Sequence, residues 1–273
     1  MARNDDQLEV VGLLPAGGKA TRISPLPCSK ELYPIGFRYL EDGSVRPKVV
    51  CHYLLEKMRL AGIRKAYFVL RPGKWDIPAY FGDGTFLKMN LGYLIMGLPF
   101  GVPYTLDQAY PFVKNAVVAL GFPDILFQPE DTFKQLLTRL TGSDADVVIG
   151  VWPFENSHKG GMVNFDAEGR VHQIVEKPAQ SDSRYSWCTA VWNPTFTEFM
   201  HYFLAAIVHD EPPLHNPVQQ SEIPLGNVIQ AAIDKGLRVE AEIFDGDPYL
   251  DIGTPEDLVR AVRTFATQVL ETK

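Results

Sequence analysis

Three groups of residues in this 273-residue chain combine types and spacings that can do chemistry. The first is Leu14-Pro15-Ala16-Gly17-Gly18-Lys19-Ala20-Thr21-Arg22-Ile23, followed by Ser29-Lys30-Glu31-Leu32-Tyr33-Pro34. Glycines after a strand let backbone N–H groups approach phosphate oxygens, while Arg22 and Lys30 can neutralise a triphosphate that would otherwise repel an incoming anion. A lone Gly-Gly pair would read as a strand-ending turn with two solvent-facing cations; the full string favours a bound nucleotide. Two other phosphate loops do not fit. A Walker loop needs four residues between its glycines and then Lys-Ser/Thr, whereas five separate Gly12 from Gly18 and Lys19 is followed by Ala20. A dinucleotide fingerprint needs G-x-G-x-x-G, but Gly17 and Gly18 are adjacent and no third glycine follows in place.

The second group is a pair of acids, Asp124 after Gly121-Phe122-Pro123 and Asp251 within Tyr249-Leu250-Asp251-Ile252-Gly253-Thr254. Acidic residues at the ends of two strands facing one crevice can share Mg2+, which takes few protein carboxylates and keeps its other positions for phosphate and water. Each alone reads as a turn aspartate or helix cap, and Thr254 is placed to cap a helix starting at Pro255; the combination favours the metal. The third group is Gly160-Gly161 with Glu176-Lys177-Pro178. A carboxylate accepts hydroxyl hydrogens and an ammonium pairs with phosphate. In isolation this is an exposed ion pair ahead of a proline.

Elements able to position these groups alternate along the chain. Val10 to Leu14 is a buried strand, Val49 to Ala61 has helical spacing and stops at Gly62, and Ala66 to Leu70 is β-rich. The order recurs as strand Ala116 to Leu120, helix Thr132 to Leu140 and strand Asp146 to Val151. A hairpin is predicted from Gly161 to Val175, then helices at Thr195 to Val208, Ile223 to Lys235 and Pro255 to Gln268, with a strand at Val239 to Phe244 and a surface loop at Asp210 to Gln220. The expectation is one α/β domain over 1–273, with 1–9 a flexible N-terminus. Its sheet should be doubly wound and mostly parallel (mixed), with helices on both faces.

A net charge of −7 and the lack of a basic run argue against nucleic acid as the main partner. No apolar stretch reaches membrane-span length and the first residues are unlike a secretory leader, which predicts a cytoplasmic protein without a membrane partner. Cys28, Cys51 and Cys188 lack metal or redox spacing and read as reduced packing residues. The histidines show no zinc-ligand spacing.

On its motifs, the chain resembles the nucleoside-diphosphate-sugar pyrophosphorylases (sugar-1-phosphate nucleotidyltransferases), and within them the glucose-1-phosphate thymidylyl- and uridylyltransferases. The resemblance runs from about Val10 to the last helix and is carried best by Ala20-Thr21-Arg22 and Ser29-Lys30, then by Phe122-Pro123-Asp124 and Leu250-Asp251-Ile252-Gly253-Thr254. It implies a Rossmann-like nucleotidyltransferase fold and a Mg2+-dependent reaction of a nucleoside triphosphate with a sugar 1-phosphate. By this resemblance Arg22 and Lys30 contact the triphosphate and leaving pyrophosphate, and Ala16, Gly17, Gly18, Lys19 and Thr21 bind the nucleotide. Asp124 and Asp251 hold the metal, Gly161 and Glu176 face the sugar, and Lys177 takes its phosphate. The chain departs from the family at Ala20, where a glycine is usual. It departs again in the base-binding loop Leu98 to Ala109, where the expected glutamine is not evident and Thr105 aligns with a glycine. A pyrimidine is the base implied, with looser discrimination. Two rivals stay open: a cytidylyltransferase acting on a phosphorylated alcohol such as phosphocholine, for which Trp187 or Trp192 would supply an aromatic wall, and a non-catalytic sugar-nucleotide-binding subunit. A homo-oligomer is left open.

Overall fold

The computed structural model describes residues 8–40, 42–97, 100–210, 222–246 and 249–267. The chain begins with strand β1 (Val10–Ala16), a hairpin of β2 (Pro34–Tyr39) and β3 (Val45–Val49), helix α1 (Val50–Leu60) and β4 (Lys65–Leu70). Short helix α2 (Asp76–Phe81) leads to β5 (Asn90–Ile95), then to the helical turns α3 (Val102–Asp107) and α4 (Tyr110–Val113) and to β6 (Val117–Gly121). Next come β7 (Ile125–Leu126), α5 (Thr132–Gly142), β8 (Val147–Pro153), β9 (Gly161–Phe165), β10 (Val171–Glu176) and β11 (Tyr185–Trp192). The last elements are α6 (Pro194–Asp210), α7 (Leu225–Asp234), β12 (Val239–Ile243), β13 (Leu250–Asp251) and α8 (Pro255–Thr267).

The main sheet runs β10-β9-β11-β6-β1-β4-β5, with β8 and β12 branching from β11. Parallel pairing holds β1, β4, β5 and β6 together, and β12 with β8, whereas every contact of β11 and the β9–β10 hairpin is antiparallel. The sheet is therefore a mixed one, parallel in its first half. Side chains of β1 alternate between two cores, as the strand period demands. Val11 and Leu13 pack with α3, α6 and α7 on one face, and Leu14 and Ala16 with α1 and α5 on the other. A third cluster packs α8 against β2 through Ile35, Tyr53 and Phe265.

Two features differ from expectation. Strand β11 was not anticipated because Ser186, Cys188 and Thr189 interrupt its apolar run, yet every residue from Ser186 to Trp192 is buried; burial on both faces removes the alternation that marks a half-exposed strand. The base loop is helical over Val102–Asp107, where Pro103 stands in the first turn, a position that needs no backbone donor; Leu98 and Pro99 lie outside the described residues. Asp210, the expected start of a surface loop, closes α6, while 211–220 of that loop, 1–7 of the N-terminal stretch 1–9 and Gln268 of the last expected helix lie outside the described residues. Among the described residues no helix is long and apolar enough to cross a membrane, and the three cysteines are free thiols, two of them buried.

Candidate active site

The glycine turn leaves the carboxyl end of β1 between β4 and β6, where Ala16 pairs with Leu70 and Leu13 with Leu120. A Cβ on Gly17 would lie 2.5 Å from the Met96 methyl, so the turn passes close to the end of β5 and a side chain there would displace Met96. Ala20 has φ +54°, the left-handed region in which glycine alone is free of penalty. A glycine would hold this conformation without strain. The Ala20 carbonyl accepts from the Ser24 hydroxyl at 2.9 Å and the Ile23 N–H at 3.1 Å, which holds the turn.

Lys30 reaches back under this turn and bonds the Asp124 carboxylate. Burial disfavours its charge, but Asp124 outweighs burial and holds the ammonium above its ordinary range. Its position is set by Asp76 at the start of α2, whose two carboxylate oxygens accept from the Ser29 N–H at 2.6 Å and the Ser29 hydroxyl at 2.7 Å. The neighbouring Glu31 is buried and accepts from Lys74 at 2.6 Å, while its second oxygen has no partner among the described residues. Burial raises the Glu31 carboxyl, Lys74 opposes the rise, and burial prevails. Sequence reading missed Asp76, Glu31 and Lys74. Only the short Arg71-Pro72-Gly73-Lys74 segment after β4 could have signalled that this second loop approaches the first.

The acids are brought together by backbone pairing. Asp124 follows β6, the next residue Ile125 pairs with Asp251 across β7 and β13, and the Ile252 N–H donates to the Asp124 carbonyl at 3.2 Å. Arg22 lies 3.7 Å from Asp251, and the Gly253 N–H donates to the same carboxylate at 2.8 Å. Burial first, and then the Asp124 charge, raise the Asp251 carboxyl above its ordinary range against the pull of Lys30, Gly253 and Arg22. Thr254 caps α8 as expected, its hydroxyl accepting from the Asp257 N–H at 3.2 Å.

The third group forms one row across three strands, Glu176 on β10 opposite Gly161 on β9 opposite Trp187 on β11. A Cβ on Gly161 would collide with the Trp187 indole nitrogen and lie 2.7 Å from the Glu176 carboxylate, and one on Gly226 would collide with that carboxylate. Both glycines are required to seat Glu176. Its carboxyl is raised by burial, with the Trp187 indole, Lys177 and the Gly226 N–H opposing. The Trp187 N–H is buried and meets no acceptor in hydrogen-bond geometry among the described residues. Lys177 is exposed and holds φ +48°, its N–H donating to the Gly160 carbonyl at 3.0 Å. Tyr249, two residues before Asp251, bonds Ser186 at 2.9 Å and so links this row to the acid pair.

A bulge in β11 separates the two halves of the site. Trp187 pairs with β9, but from Thr189 onward the strand pairs with β6 on that side. The sheet thus parts where β6 ends toward Asp124 and β9 begins at Gly161, a use of bulges common beside active sites. Other expected residues lie further out. Thr21 is exposed on the turn and Lys19 is exposed beside it. Thr105 is buried behind Met96, its hydroxyl donating to the Gly101 carbonyl at 3.0 Å. Trp192 is remote from the site, since its indole N–H donates to Thr197 in the core at 2.9 Å.

A family model for nucleotidyl transferases matches residues 11–268. The chain is 28% identical over 262 residues to a glucose-1-phosphate thymidylyltransferase of Mycolicibacterium smegmatis, covering 93% of this chain and 82% of that protein. It is 23% identical over 253 residues to a low-salt glycan biosynthesis nucleotidyltransferase of Haloferax volcanii; the match covers 92% of this chain but 64% of that relative, so the chain spans just under two thirds of its length. Among solved structures, a glucose-1-phosphate thymidylyltransferase from Bacillus anthracis aligns with a TM-score of 0.75 at 17% identity, covering 93% and 94% of the two chains. A UDP-glucose pyrophosphorylase from Acinetobacter baumanii aligns at 0.74 and 19%, covering 97% and 100%. These likenesses establish the α/β Rossmann-like fold. Because the family model spans residues 11–268, which include the glycine turn, the acid pair and the row between them, the chain belongs to the nucleotidyl transferase family.

Proposed function

We propose that the protein transfers a nucleotidyl group from a nucleoside triphosphate, preferably a pyrimidine one, to a sugar 1-phosphate and releases pyrophosphate. The observation that carries this is the Lys30–Asp124 contact beside Asp251, placed between a glycine turn suited to phosphates and the Glu176 row suited to hydroxyls. The names of its relatives, thymidylyl- and uridylyl-type enzymes, support the same substrate class.

In this reaction an oxygen of the sugar phosphate attacks the α-phosphorus in line, and the bridging oxygen leaves with pyrophosphate. The nucleophile is already an anion, so alignment and charge neutralisation suffice. Arg22 and Lys30 balance the triphosphate charge, the backbone from Ala16 to Thr21 carries the nucleotide, and Lys177 holds the incoming phosphate. Glu176 and the Trp187 N–H beside it offer an acceptor and a donor to the sugar. The acid pair suits magnesium: among the described residues no three His, Cys, Asp or Glu converge, and Mg2+ asks for one or two carboxylates with phosphate and water completing its shell. Burial and then the Asp124 charge raise Asp251, and a divalent cation would relieve the second of these. Asp124 and Asp251 would hold it, and it would supply neutralisation of the phosphate oxygens.

Trp187 beside Glu176 also favours a second reading, an acceptor with a cationic head such as a phosphorylated amino alcohol. A panel of triphosphates against sugar 1-phosphates and phosphocholine, scored by pyrophosphate release with and without chelator, decides between them. Turnover with a pyrimidine triphosphate and a sugar phosphate, abolished by chelator, is the expected result. Turnover with phosphocholine alone selects the second reading, and binding without any turnover removes both.

A further inference from the structure

A cavity of about 300 Å3 opens between the glycine turn and the loop that follows β4. Gly18, Lys19 and Lys30 border it from the first loop, Arg71 and Lys74 from the second. Lys30 is answered by Asp124 and Lys74 by Glu31. Lys19 and Arg71 form no ion pair among the described residues. The one carboxylate in the wall, Asp76, has both oxygens occupied by Ser29. Lys19 and Arg71 outnumber Asp76, whose charge persists with Ser29 bound to it, so the wall keeps a net positive charge suited to an anion. The volume lies at the lower limit of small-ligand pockets, about 300 Å3, tight for a whole nucleotide and ample for two linked phosphates.

We propose that Arg71, which lies outside the glycine turn, grips the terminal phosphate of a triphosphate whose outer phosphates enter this cavity. The proposal rests on the nucleotidyl-transfer reading above. Arg71 directly follows Leu70, whose partner across the parallel pair is Ala16, so the two loops leave the sheet side by side. A guanidinium presents paired, coplanar N–H donors that match two phosphate oxygens at once. During transfer a sugar-phosphate oxygen bonds to the α-phosphorus while the bond from that phosphorus to the bridging oxygen breaks; the bridging oxygen keeps the electron pair and departs with pyrophosphate. Arg71 meets charge that grows on this leaving group. The buried Lys74–Glu31 pair ties the second loop to the residue next to Lys30 and acts as a positioning pair.

The test measures inorganic pyrophosphate binding to the full chain by titration calorimetry in the presence of magnesium. Arg71→Gln should weaken it roughly ten- to hundredfold, the span for one lost charge-assisted hydrogen bond, and Arg71→Lys should recover part of the loss. Nucleoside monophosphate binding should stay unchanged. In the reverse reaction KM for pyrophosphate should rise by the same factor and KM for the nucleotide sugar should not. Unchanged pyrophosphate affinity in Arg71→Gln, or equal weakening of pyrophosphate and monophosphate, overturns the proposal.

A readout in the unaltered protein covers the case in which the variant fails to fold. Cys28 lines the same cavity and is only partly buried, unlike Cys51 and Cys188. Burial, then Asp76 and Glu31, hold its thiol above the ordinary range, so maleimide labelling is run at alkaline pH. Pyrophosphate should slow Cys28 labelling several-fold, and the absence of any slowing overturns the proposal. Arg71-dependent pyrophosphate binding without sugar-nucleotide formation from any substrate pair would sink the transfer reading and leave the anion seat standing. Sugar-nucleotide formation with Arg71-indifferent pyrophosphate binding would do the reverse.

Discussion

Asp251 sits where burial and the Asp124 charge push its proton affinity up harder than Lys30, Gly253 and Arg22 pull it down. A carboxyl raised in the fold above its unfolded value favours folding while both states are protonated, and that benefit is lost as pH rises through the folded value. At neutral pH its charge is thus a cost. Asp251→Asn keeps the volume and the acceptor for the Gly253 N–H while removing that charge. Turnover should fall by roughly two to three powers of ten, with the melting temperature at neutral pH holding or rising. The rise should vanish at acid pH, where Asp251 is protonated in both states. Melts over a pH series beside steady-state kinetics check this, and a large loss of melting temperature would assign Asp251 a structural role instead. Ala20 makes a second residue-scale case. Its left-handed backbone predicts that Ala20→Gly stabilises the chain by about 1 kcal/mol, read from denaturant midpoints.

Helix α1 shows how an element can carry a polar group at a cost. His52 is fully buried, neither ring nitrogen has a partner among the described residues, and Tyr80, Phe81 and Phe86 present edges to it. Burial first, then Arg38 and Lys48, lower it to about 3. A depressed folded value means the unfolded chain takes up the proton first, so stability is complete above the unfolded value near 6.5 and drains as pH falls toward 3. The slope from this residue is at most about 1.4 kcal/mol per pH unit. His52→Leu should flatten the acid limb of the stability profile between those values and raise stability at neutral pH, measured by urea unfolding at several pH values. An unchanged acid limb would show that other groups control it. Strand β11 plays a comparable part on the sheet: on one edge it pairs with β9 up to Trp187 and with β6 from Thr189, beside a bulge in its ladder with β8.

At the scale of the whole molecule, the parallel half of the sheet carries the glycine turn and the antiparallel half carries the Glu176 row, with the acid pair between them. A nucleotide sugar spanning both halves should bind with an advantage that its separate parts lack, because the second contact becomes intramolecular. Thermal-shift titrations should show a larger stabilisation by the nucleotide sugar than the sum from nucleoside monophosphate and sugar phosphate at equal concentration. Lys177→Ala should lose most of the excess and keep the monophosphate response. Strict additivity in the wild-type protein would place the two parts in unconnected seats.

The sequence by itself determined the glycine turn, the two acids, the Glu176-Lys177 pair and the strand–helix alternation. These rest on local chemistry: glycine where backbone must approach, acids at strand ends, apolar residues at helical or strand period. It also marked Ala20 as unusual, though only the structure shows its φ. Other parts depended on residues far apart in the chain. The Ser29 clamp on Asp76, the Glu31–Lys74 pair and the approach of Trp187 to Gly161 join loops with no shared motif. Likewise β11 is buried on both faces and keeps no period to read, and Trp187 and Trp192 look alike in sequence although one lines the site and the other fills the core. Only tertiary structure separates them, because Trp187 lies alongside β9 and Trp192 alongside β6.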